Sequence, residues 1–147
     1  MRAIVSLGSN MEPRVDYLAR ALDAMATLPE TRLVKASSVI ETDPVDVPPE
    51  FDGMKFLNQA AVFETKLDVR DFARRMHCVE DALGRVRTVR NGPRTIDLDL
   101  IDFSGIVLDD PDLTLPHPRA AERDFVLRPL AELGFQFSVA RRAFVPV

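Results

Sequence analysis

Residues 95–103 read Thr-Ile-Asp-Leu-Asp-Leu-Ile-Asp-Phe, and this alternation of apolar and acidic side chains is typical of a β-strand. Side chains along a strand point to opposite faces in turn, so Asp97 and Asp99 share one face while Leu98 and its apolar neighbours share the other. The segment therefore predicts a strand that is buried on one face and carries two carboxylates on the other.

The elements predicted before this strand are a strand, a helix, two strands and a second helix. They are a strand at Arg2–Leu7, a turn at Gly8-Ser9-Asn10, a helix from about Pro13, strands near Leu33–Thr42 and at Phe56–Glu64, and a helix from Asp68 to Leu83. After residue 103, Gly105 indicates a hairpin into Ile106–Leu108, and a short helix is predicted near Val126–Leu133. The order βαββαβ predicts a ferredoxin-like α+β sandwich, with an antiparallel sheet, helices packed on one face, and an extra C-terminal hairpin and short helix.

Length and composition favour one enzyme-sized domain over residues 1–147. The chain has 147 residues, 46% of them hydrophobic, which is enough for one core and leaves no room for a second domain. Cys78 is the single cysteine, and the sequence shows neither a signal peptide nor an apolar run of membrane-spanning length. The net charge of −4 argues against a nucleic-acid binder. We therefore expect a cytoplasmic protein with no nucleic-acid or membrane partner.

Two adjacent features indicate phosphate chemistry. Asp97 and Asp99 lie roughly 6.5 Å apart at Cα on a strand and can converge on a pair of metal ions, for which oxygen-only ligands favour Mg²⁺ over zinc. The segment 85–94 has no acidic residue and carries four arginines, the residue type that binds phosphate in a bidentate manner. The alternatives are an ordinary half-exposed strand and a solvated basic loop. The adjacency of the two features favours phosphates held with metal ions between them.

Further candidate residues stand outside these two segments. Phe56 and Asn58 share a strand face, and an aromatic ring beside a carboxamide suits a flat heterocycle with a donor–acceptor edge. His117 stands between two prolines that stiffen its backbone. His77 and Glu80 are three residues apart on the second helix and are predicted to face away from its buried stripe. An ordinary exposed helical contact is the alternative for that pair.

Residues 92–101, Gly-Pro-Arg-Thr-Ile-Asp-Leu-Asp-Leu-Ile, resemble the signature of 6-hydroxymethyl-7,8-dihydropterin pyrophosphokinase, a family of folate biosynthesis. Supporting motifs occur in the family's order: Gly8-Ser9-Asn10, Ser37-Ser38, Thr42, Phe56-Leu57-Asn58, Gly84-Arg85, Leu115-Pro116-His117 and Arg123-Asp124-Phe125. The resemblance covers nearly the whole chain, except that the tail Gly134–Val147 does not match the usual ending.

The resemblance implies a Mg²⁺-dependent transfer of pyrophosphate from ATP to the hydroxymethyl oxygen of the pterin, with release of AMP. It implies two Mg²⁺ ions held by Asp97 and Asp99, and catalytic charges on Arg85 and Arg94. The residues implied to contact ATP are His77, Glu80, Arg85, Arg87, Arg94, Leu100, Thr114 and His117. Those implied to contact the pterin are Thr42, Asp43, Val45, Phe56, Asn58, Asp97, Arg123 and Phe125. Arg87, Arg90 and Asn91 are implied to belong to a mobile loop, and the implied partners are small molecules. Nothing in the sequence demands a dimer, so we expect a monomer.

Two other classes of function remain open at this point. A palm-type nucleotidyltransferase or cyclase also carries two aspartates on a ferredoxin-like sheet, but it releases pyrophosphate and needs no aromatic slot. A non-catalytic module of the same fold binds RNA or a small ligand, and an RNA binder would carry basic and aromatic side chains where this sheet carries carboxylates. Among non-catalytic modules, a pterin binder that has lost its activity is the hardest to exclude from the sequence.

Overall fold

The structure is a computed structural model that describes residues 1–44, 49–51, 53–84 and 94–147. The elements in these ranges are β1 (Arg2–Ser9), α1 (Arg14–Ala26), β2 (Thr31–Ala36), β3 (Ile40–Thr42), β4 (Phe56–Thr65), α2 (Val69–Ala82), β5 (Asp97–Phe103), β6 (Leu108–Asp109), β7 (Thr114–Leu115), α3 (Asp124–Glu132), β8 (Phe135–Ser138) and β9 (Ala143–Pro146), with short 3₁₀ turns at Pro49–Phe51 and Ala120–Glu122. None of the helices in the described ranges has the length and apolar character needed to cross a bilayer.

The main sheet is antiparallel and has β1 at its centre. The strand order is β2-β4-β1-β5, and β3 also pairs with β4 beyond the end of β2. If β2 and β3 are taken as one interrupted strand, the chain order and the strand order are those of a ferredoxin-like βαββαβ sheet. The predicted fold class is confirmed.

The two faces of the sheet are covered by different helices. On one face, alternate residues of β1 and β5, such as Val5, Leu7 and Leu98, are buried against α1 and α2. On the other face, Ile4 and Ile101 pack with α3 and with the C-terminal hairpin of β8 and β9. The expectation of helices on one face holds for α1 and α2, while α3 and the C-terminal hairpin pack on part of the opposite face.

Helix α2 follows its predicted boundaries because its caps are encoded locally. The Asp68 carboxylate accepts the Asp71 backbone N–H at 2.9 Å, and Gly84 takes a φ of +84°, which a residue with a side chain rarely adopts. Phe72, Met76 and Val79 are buried as predicted, whereas Leu83 at the end of the stripe is only half-buried.

Two element boundaries and one strand pairing differ from the sequence prediction. β1 continues through the predicted turn to Ser9, because β4 offers it partners up to Leu57. The predicted second strand is broken at 37–39, where the Ser37 side chain accepts the Ala60 backbone N–H at 2.9 Å and replaces a ladder bond. The predicted hairpin after Gly105 is wrong, because β6 pairs with β7 and not with β5.

The C-terminal tail is attached to the sheet through a buried carboxylate. Asp102 on β5 is almost fully buried, and its two oxygens accept the backbone N–H groups of Gly105 and Phe144, each at 2.9 Å. Phe144 is itself fully buried and packs edge-on against Phe137 of β8, at 5.2 Å between ring centroids. The tail that departs from the family ending is therefore part of the core on the α3 side.

Asp102→Ala should lower the free energy of unfolding by about 3 kcal/mol, because it leaves two buried backbone N–H groups without an acceptor. Urea unfolding followed by circular dichroism measures this loss. Asp109→Ala is the control, since the exposed Asp109 carboxylate pairs with Arg142 at 3.4 Å and surface pairs contribute little. Equal stabilities of the two variants would show that Asp102 does not anchor the tail.

Candidate active site

The floor of the candidate site is a row of residues across three neighbouring strands. Gly8 of β1 lies opposite Asn58 of β4 on one side and opposite Asp97 of β5 on the other. Ser6, two residues earlier on β1, lies opposite Asp99. Residues two apart on a strand share a face, so small side chains of β1 separate the amide from the carboxylates. This face is the one opposite α1 and α2.

An open cleft stands above this floor, and its far wall is the 3₁₀ turn before α3 and the first residues of α3. The cleft encloses about 970 Å³ of empty space, a figure that includes the solvent at its open mouth. The lining residues are Ser6, Gly8, Thr42, Asp43, Phe56, Asn58, Arg94, Asp97, Asp99, Arg119, Glu122, Arg123 and Phe125. The structure thus brings residues predicted to bind the pterin, the metal ions and the phosphates into one cleft.

Four of the lining residues were not predicted from the sequence. Ser6 and Gly8 alternate with buried aliphatic residues of β1, and this small-residue alternation could have marked them as the floor of a site. Arg119 and Glu122 lie at the 3₁₀ turn before α3, where no periodic pattern identifies the exposed face.

Two of the three aspartates of β5, Asp97 and Asp99, face the cleft and are partly accessible. The Asp97 side chain is 22% exposed and the Asp99 side chain 35% exposed. Arg94 donates from Nη1 to Asp97 Oδ2 at 3.1 Å. The backbone of Arg94 is fixed in turn by Asn10, whose Oδ1 accepts the Arg94 N–H at 2.6 Å. A guanidinium and two carboxylates are therefore held side by side at one end of the cleft.

This donor set fits Mg²⁺ when phosphate is also present. Mg²⁺ is usually bound through one or two carboxylates, with phosphate oxygens and water completing its octahedron. Asp97 and Asp99 supply oxygen ligands of that kind, whereas no group of three or more potential ligands is assembled in the described part of the chain. Oxygen atoms of a polyphosphate would have to complete the coordination.

The opposite end of the cleft combines an oriented amide with two aromatic rings. The Asn58 side chain is buried and donates from Nδ2 to Thr42 Oγ1 at 2.6 Å. Phe56 enters the cleft from β4 and Phe125 from the start of α3, and both rings are half-buried. The Arg123 guanidinium lies over the Phe125 ring, 5.5 Å from its centroid. Two partly accessible rings beside a fixed amide form a slot for a flat heterocycle.

His117 lies next to Asp99, and neither His117 nor Thr114 belongs to the cleft lining. The His117 backbone N–H donates to the Ile101 carbonyl at 2.8 Å, and its Nε2 lies 3.8 Å from Asp99 Oδ1. Burial and then the positive charge of Arg123 lower the pKa of His117, although Asp97 acts in the opposite direction. The ring is therefore neutral near pH 7. Thr114 on β7 is half-buried, and its hydroxyl donates to a backbone carbonyl.

The prediction that Glu80 faces away from the buried side of α2 is wrong. Its side chain is fully buried, while that of His77 is 51% exposed. Glu80 Oε1 lies 2.8 Å from His77 Nδ1, and Glu80 Oε2 accepts the Leu98 backbone N–H at 2.8 Å. A carboxylate with such partners can be buried, which residue spacing alone does not show. The Leu100 side chain is also buried on the α2 side, so only its main chain can contact a nucleotide.

Five of the predicted residues lie outside the described ranges. They are Val45, Arg85, Arg87, Arg90 and Asn91.

The chain was compared with families and proteins of known identity. The family model for 7,8-dihydro-6-hydroxymethylpterin-pyrophosphokinase matches residues 4–134. The chain belongs to this family. The matched range leaves out all but the first residue of the tail that the sequence analysis found to depart from the family ending.

Similar proteins include two named 2-amino-4-hydroxy-6-hydroxymethyldihydropteridine pyrophosphokinase. The one from Pseudomonas aeruginosa is 44% identical over 134 residues, which are 90% of this chain and 80% of the relative. The one from Bacillus subtilis is 40% identical over 131 residues, which are 89% of this chain and 77% of the relative. A crystal structure of Plasmodium falciparum HPPK-DHPS is similar in fold, with a TM-score of 0.65 at 14% identity over 89% of this chain and 40% of that longer chain.

Gly8→Ala should disturb the amide end of the cleft in this pyrophosphokinase family member. A Cβ at Gly8 would stand 3.3 Å from Asn58 Oδ1 and 3.7 Å from the Phe56 ring, so the amide must move. We expect weaker binding of 6-hydroxymethylpterin and an altered Asn58 side-chain NMR signal, with the fold retained. Gly53→Ala is the matched control, because no atom of the described residues lies within 4 Å of a Cβ at Gly53. Unchanged pterin affinity in Gly8→Ala would contradict the assignment of the floor.

Proposed function

We propose that this protein transfers a pyrophosphoryl group from ATP to 6-hydroxymethyl-7,8-dihydropterin and releases AMP, as a step of folate biosynthesis. The observation that carries the proposal is that one cleft joins a slot for a flat heterocycle to a pair of carboxylates next to an arginine. Membership of the pyrophosphokinase family and the names of the relatives at 40–44% identity support the same activity.

The pterin ring would lie between Phe56 and Phe125, with its hydrogen-bonding edge on Asn58. Thr42 supports this assignment because it holds the amide in place, and Asp43 lines the same end of the cleft. Arg123 stands at the mouth, over one of the two rings. Val45 belongs to the same proposed set by resemblance to the family.

The strand spacing sets the distance between the proposed pterin site at Asn58 and the carboxylates of Asp97 and Asp99. Asn58 and Asp97 flank Gly8, so they are two inter-strand spacings apart, about 9.6 Å. A bicyclic ring bonded to the amide spans most of that distance and directs its hydroxymethyl arm toward the carboxylates. The acceptor oxygen and the phosphate site are thereby placed next to each other, which is the main catalytic requirement for this kind of transfer.

The triphosphate of ATP would be held beside Asp97 and Asp99 by two Mg²⁺ ions. When bound, the ions supply charge neutralisation on the phosphates. Arg94 supplies a fixed positive charge at the same place, and Arg85, Arg87 and Arg90 are proposed to add others from their segment.

Hydrogen bonds from neighbouring residues complete the proposed nucleotide site. The neutral His117, Thr114, the Leu100 main chain and the exposed His77 ring are the proposed contacts to the rest of the nucleotide. Water must be kept from the phosphates during the transfer, because it competes with the pterin as an acceptor.

In the reaction, the hydroxymethyl oxygen attacks the β-phosphorus, and the bond to the oxygen bridging the α- and β-phosphates breaks. Phosphoryl-type transfer needs little covalent help from the protein, so positioning and charge dominate. A single domain over residues 1–147, a monomeric state and a cytoplasmic location stay predictions of the sequence.

The reaction is tested by incubating the protein with ATP, Mg²⁺ and 6-hydroxymethyl-7,8-dihydropterin and separating the nucleotides by chromatography. We expect AMP to form only when the pterin is present, in equal amounts with the pterin diphosphate. Release of pyrophosphate would instead identify a nucleotidyltransferase. Pterin binding without any turnover would identify a binding protein, and either result would refute the proposal.

Asp97→Ala should reduce kcat by more than about 100-fold, because it removes one of the carboxylates at the point where phosphate charge must be stabilised. Steady-state AMP production measures the effect, and circular dichroism checks the fold. Asp23→Ala removes an exposed carboxylate of α1 and serves as the control. Turnover near the wild-type rate in Asp97→Ala would exclude Asp97 as a metal ligand.

Phe125→Ala should weaken pterin binding by roughly 10- to 100-fold, the value of one aromatic stacking contact. Binding of a non-hydrolysable ATP analogue should change little, and Phe125→Tyr should restore the pterin affinity because it keeps the ring. Titration calorimetry with each ligand separately measures the three proteins. Equal losses of affinity for both ligands would refute the stacking role.

A further inference from the structure

Glu80 occupies an unusual place for a carboxylate, since it is fully buried between helix α2 and strand β5. Its Oε2 accepts the backbone N–H of Leu98, and its Oε1 lies 2.8 Å from His77 Nδ1. The contact with His77 fixes the orientation of the carboxylate group that accepts the Leu98 N–H.

The N–H of Leu98 needs this acceptor because of the position of β5 in the sheet. β5 pairs with β1 on one side, and in the described ranges no strand pairs with its other side. Leu98 is itself buried, so an N–H that points away from β1 cannot be hydrated. Glu80 thus supplies the hydrogen bond that a further strand would otherwise provide.

Leu98 is the residue between Asp97 and Asp99, the two carboxylates that face the cleft. A shift or rotation of the peptide groups at Leu98 would move both carboxylates, because each is one residue away along the same strand. Residues that orient ligands in this way commonly change metal affinity or activity when they are replaced.

We propose that Glu80 is a positioning residue, which acts from below the sheet by fixing the Leu98 backbone so that Asp97 and Asp99 converge on the same phosphate-bound cations. The inference rests on the proposed function, because it assigns those two aspartates to the cations. It differs from a direct contact with ATP, since Glu80 has no exposed surface.

A purely structural role for Glu80 is the alternative. Burial of a carboxylate costs free energy that hydrogen bonds only partly return, and α2 already packs on the core through Phe72, Met76 and Val79. An apolar residue of similar size at position 80 would keep this packing but leave the Leu98 N–H without an acceptor, so a purely structural role predicts a loss of stability and nothing more. If the bond to Leu98 positions the aspartates, the same replacement must still impair cation binding and turnover.

The test compares Glu80→Gln, which keeps an acceptor for the Leu98 N–H, with Glu80→Met, which keeps the volume and removes the acceptor. Asp81→Ala is the control, because it removes an exposed carboxylate one residue further along the same helix. Three properties are measured in each variant: the ¹H shift and exchange rate of the Leu98 amide by NMR, Mn²⁺ binding with a non-hydrolysable ATP analogue by electron paramagnetic resonance, and kcat and KM for AMP formation.

In Glu80→Met we expect an upfield shift and faster exchange of the Leu98 amide, with Mn²⁺ affinity or kcat reduced by about 10- to 100-fold. KM for the pterin should change little. Glu80→Gln should retain most of each property, and Asp81→Ala should match the wild type. A wild-type Leu98 amide, or unchanged Mn²⁺ affinity and kcat, in folded Glu80→Met would refute the proposal.

If Glu80→Met fails to fold, Glu80→Gln decides the question. Reduced Mn²⁺ affinity or kcat in the glutamine variant, despite its acceptor, would refute the positioning role. Wild-type values would support the positioning role. The amide and Mn²⁺ measurements require no turnover. They therefore separate a failure of this inference from a failure of the proposed function, which would leave the wild-type protein itself inactive.

Discussion

The antiparallel pairing of β1 with both β4 and β5 is the constraint on which the rest of the site depends. It places Gly8 between Asn58 and Asp97, and Ser6 beside Asp99. A shift of one residue in either register would move the amide or the carboxylates to the face covered by α1 and α2. The distance between Asn58 and Asp97 is set by the strand spacing, so the two side chains need not touch each other to be held in place.

One face of the sheet forms most of the hydrophobic core, and the other face carries the cleft. The α1 and α2 face holds most of the large apolar side chains, and it also carries Glu80, whose carboxylate reaches the β5 backbone. On the other face, α3 and the C-terminal hairpin pack on part of the sheet, and the cleft lies beside them. Asp102 joins that hairpin to β5 close to the acidic end of the site. The tail thus supports the strand that carries the proposed metal ligands.

The alternation of side chains along β5 and the capping residue of α2 made these parts of the fold and of the site predictable from the sequence. The Asp97–Asp99 face follows from period two, and the start of α2 follows from Asp68. The resemblance to the family indicated Phe125 and Arg123, which no local pattern marks. Burial of Glu80 was not predictable, because it depends on an unpaired N–H on a strand 18 residues away. The break at Ser37 and the true partner of β6 likewise depend on tertiary hydrogen bonds that compete with local preference.

The most direct measurement is a crystal structure with Mn²⁺, a non-hydrolysable ATP analogue and 6-hydroxymethylpterin, with anomalous scattering used to locate the metal. The account predicts two Mn²⁺ peaks within about 2.2 Å of carboxylate oxygens of Asp97 and Asp99, each also bound to phosphate oxygens. It further predicts the pterin ring between Phe56 and Phe125, with its hydroxymethyl oxygen facing the β-phosphorus. Metal peaks away from both aspartates, or a pterin bound outside the Asn58 end of the cleft, would contradict it.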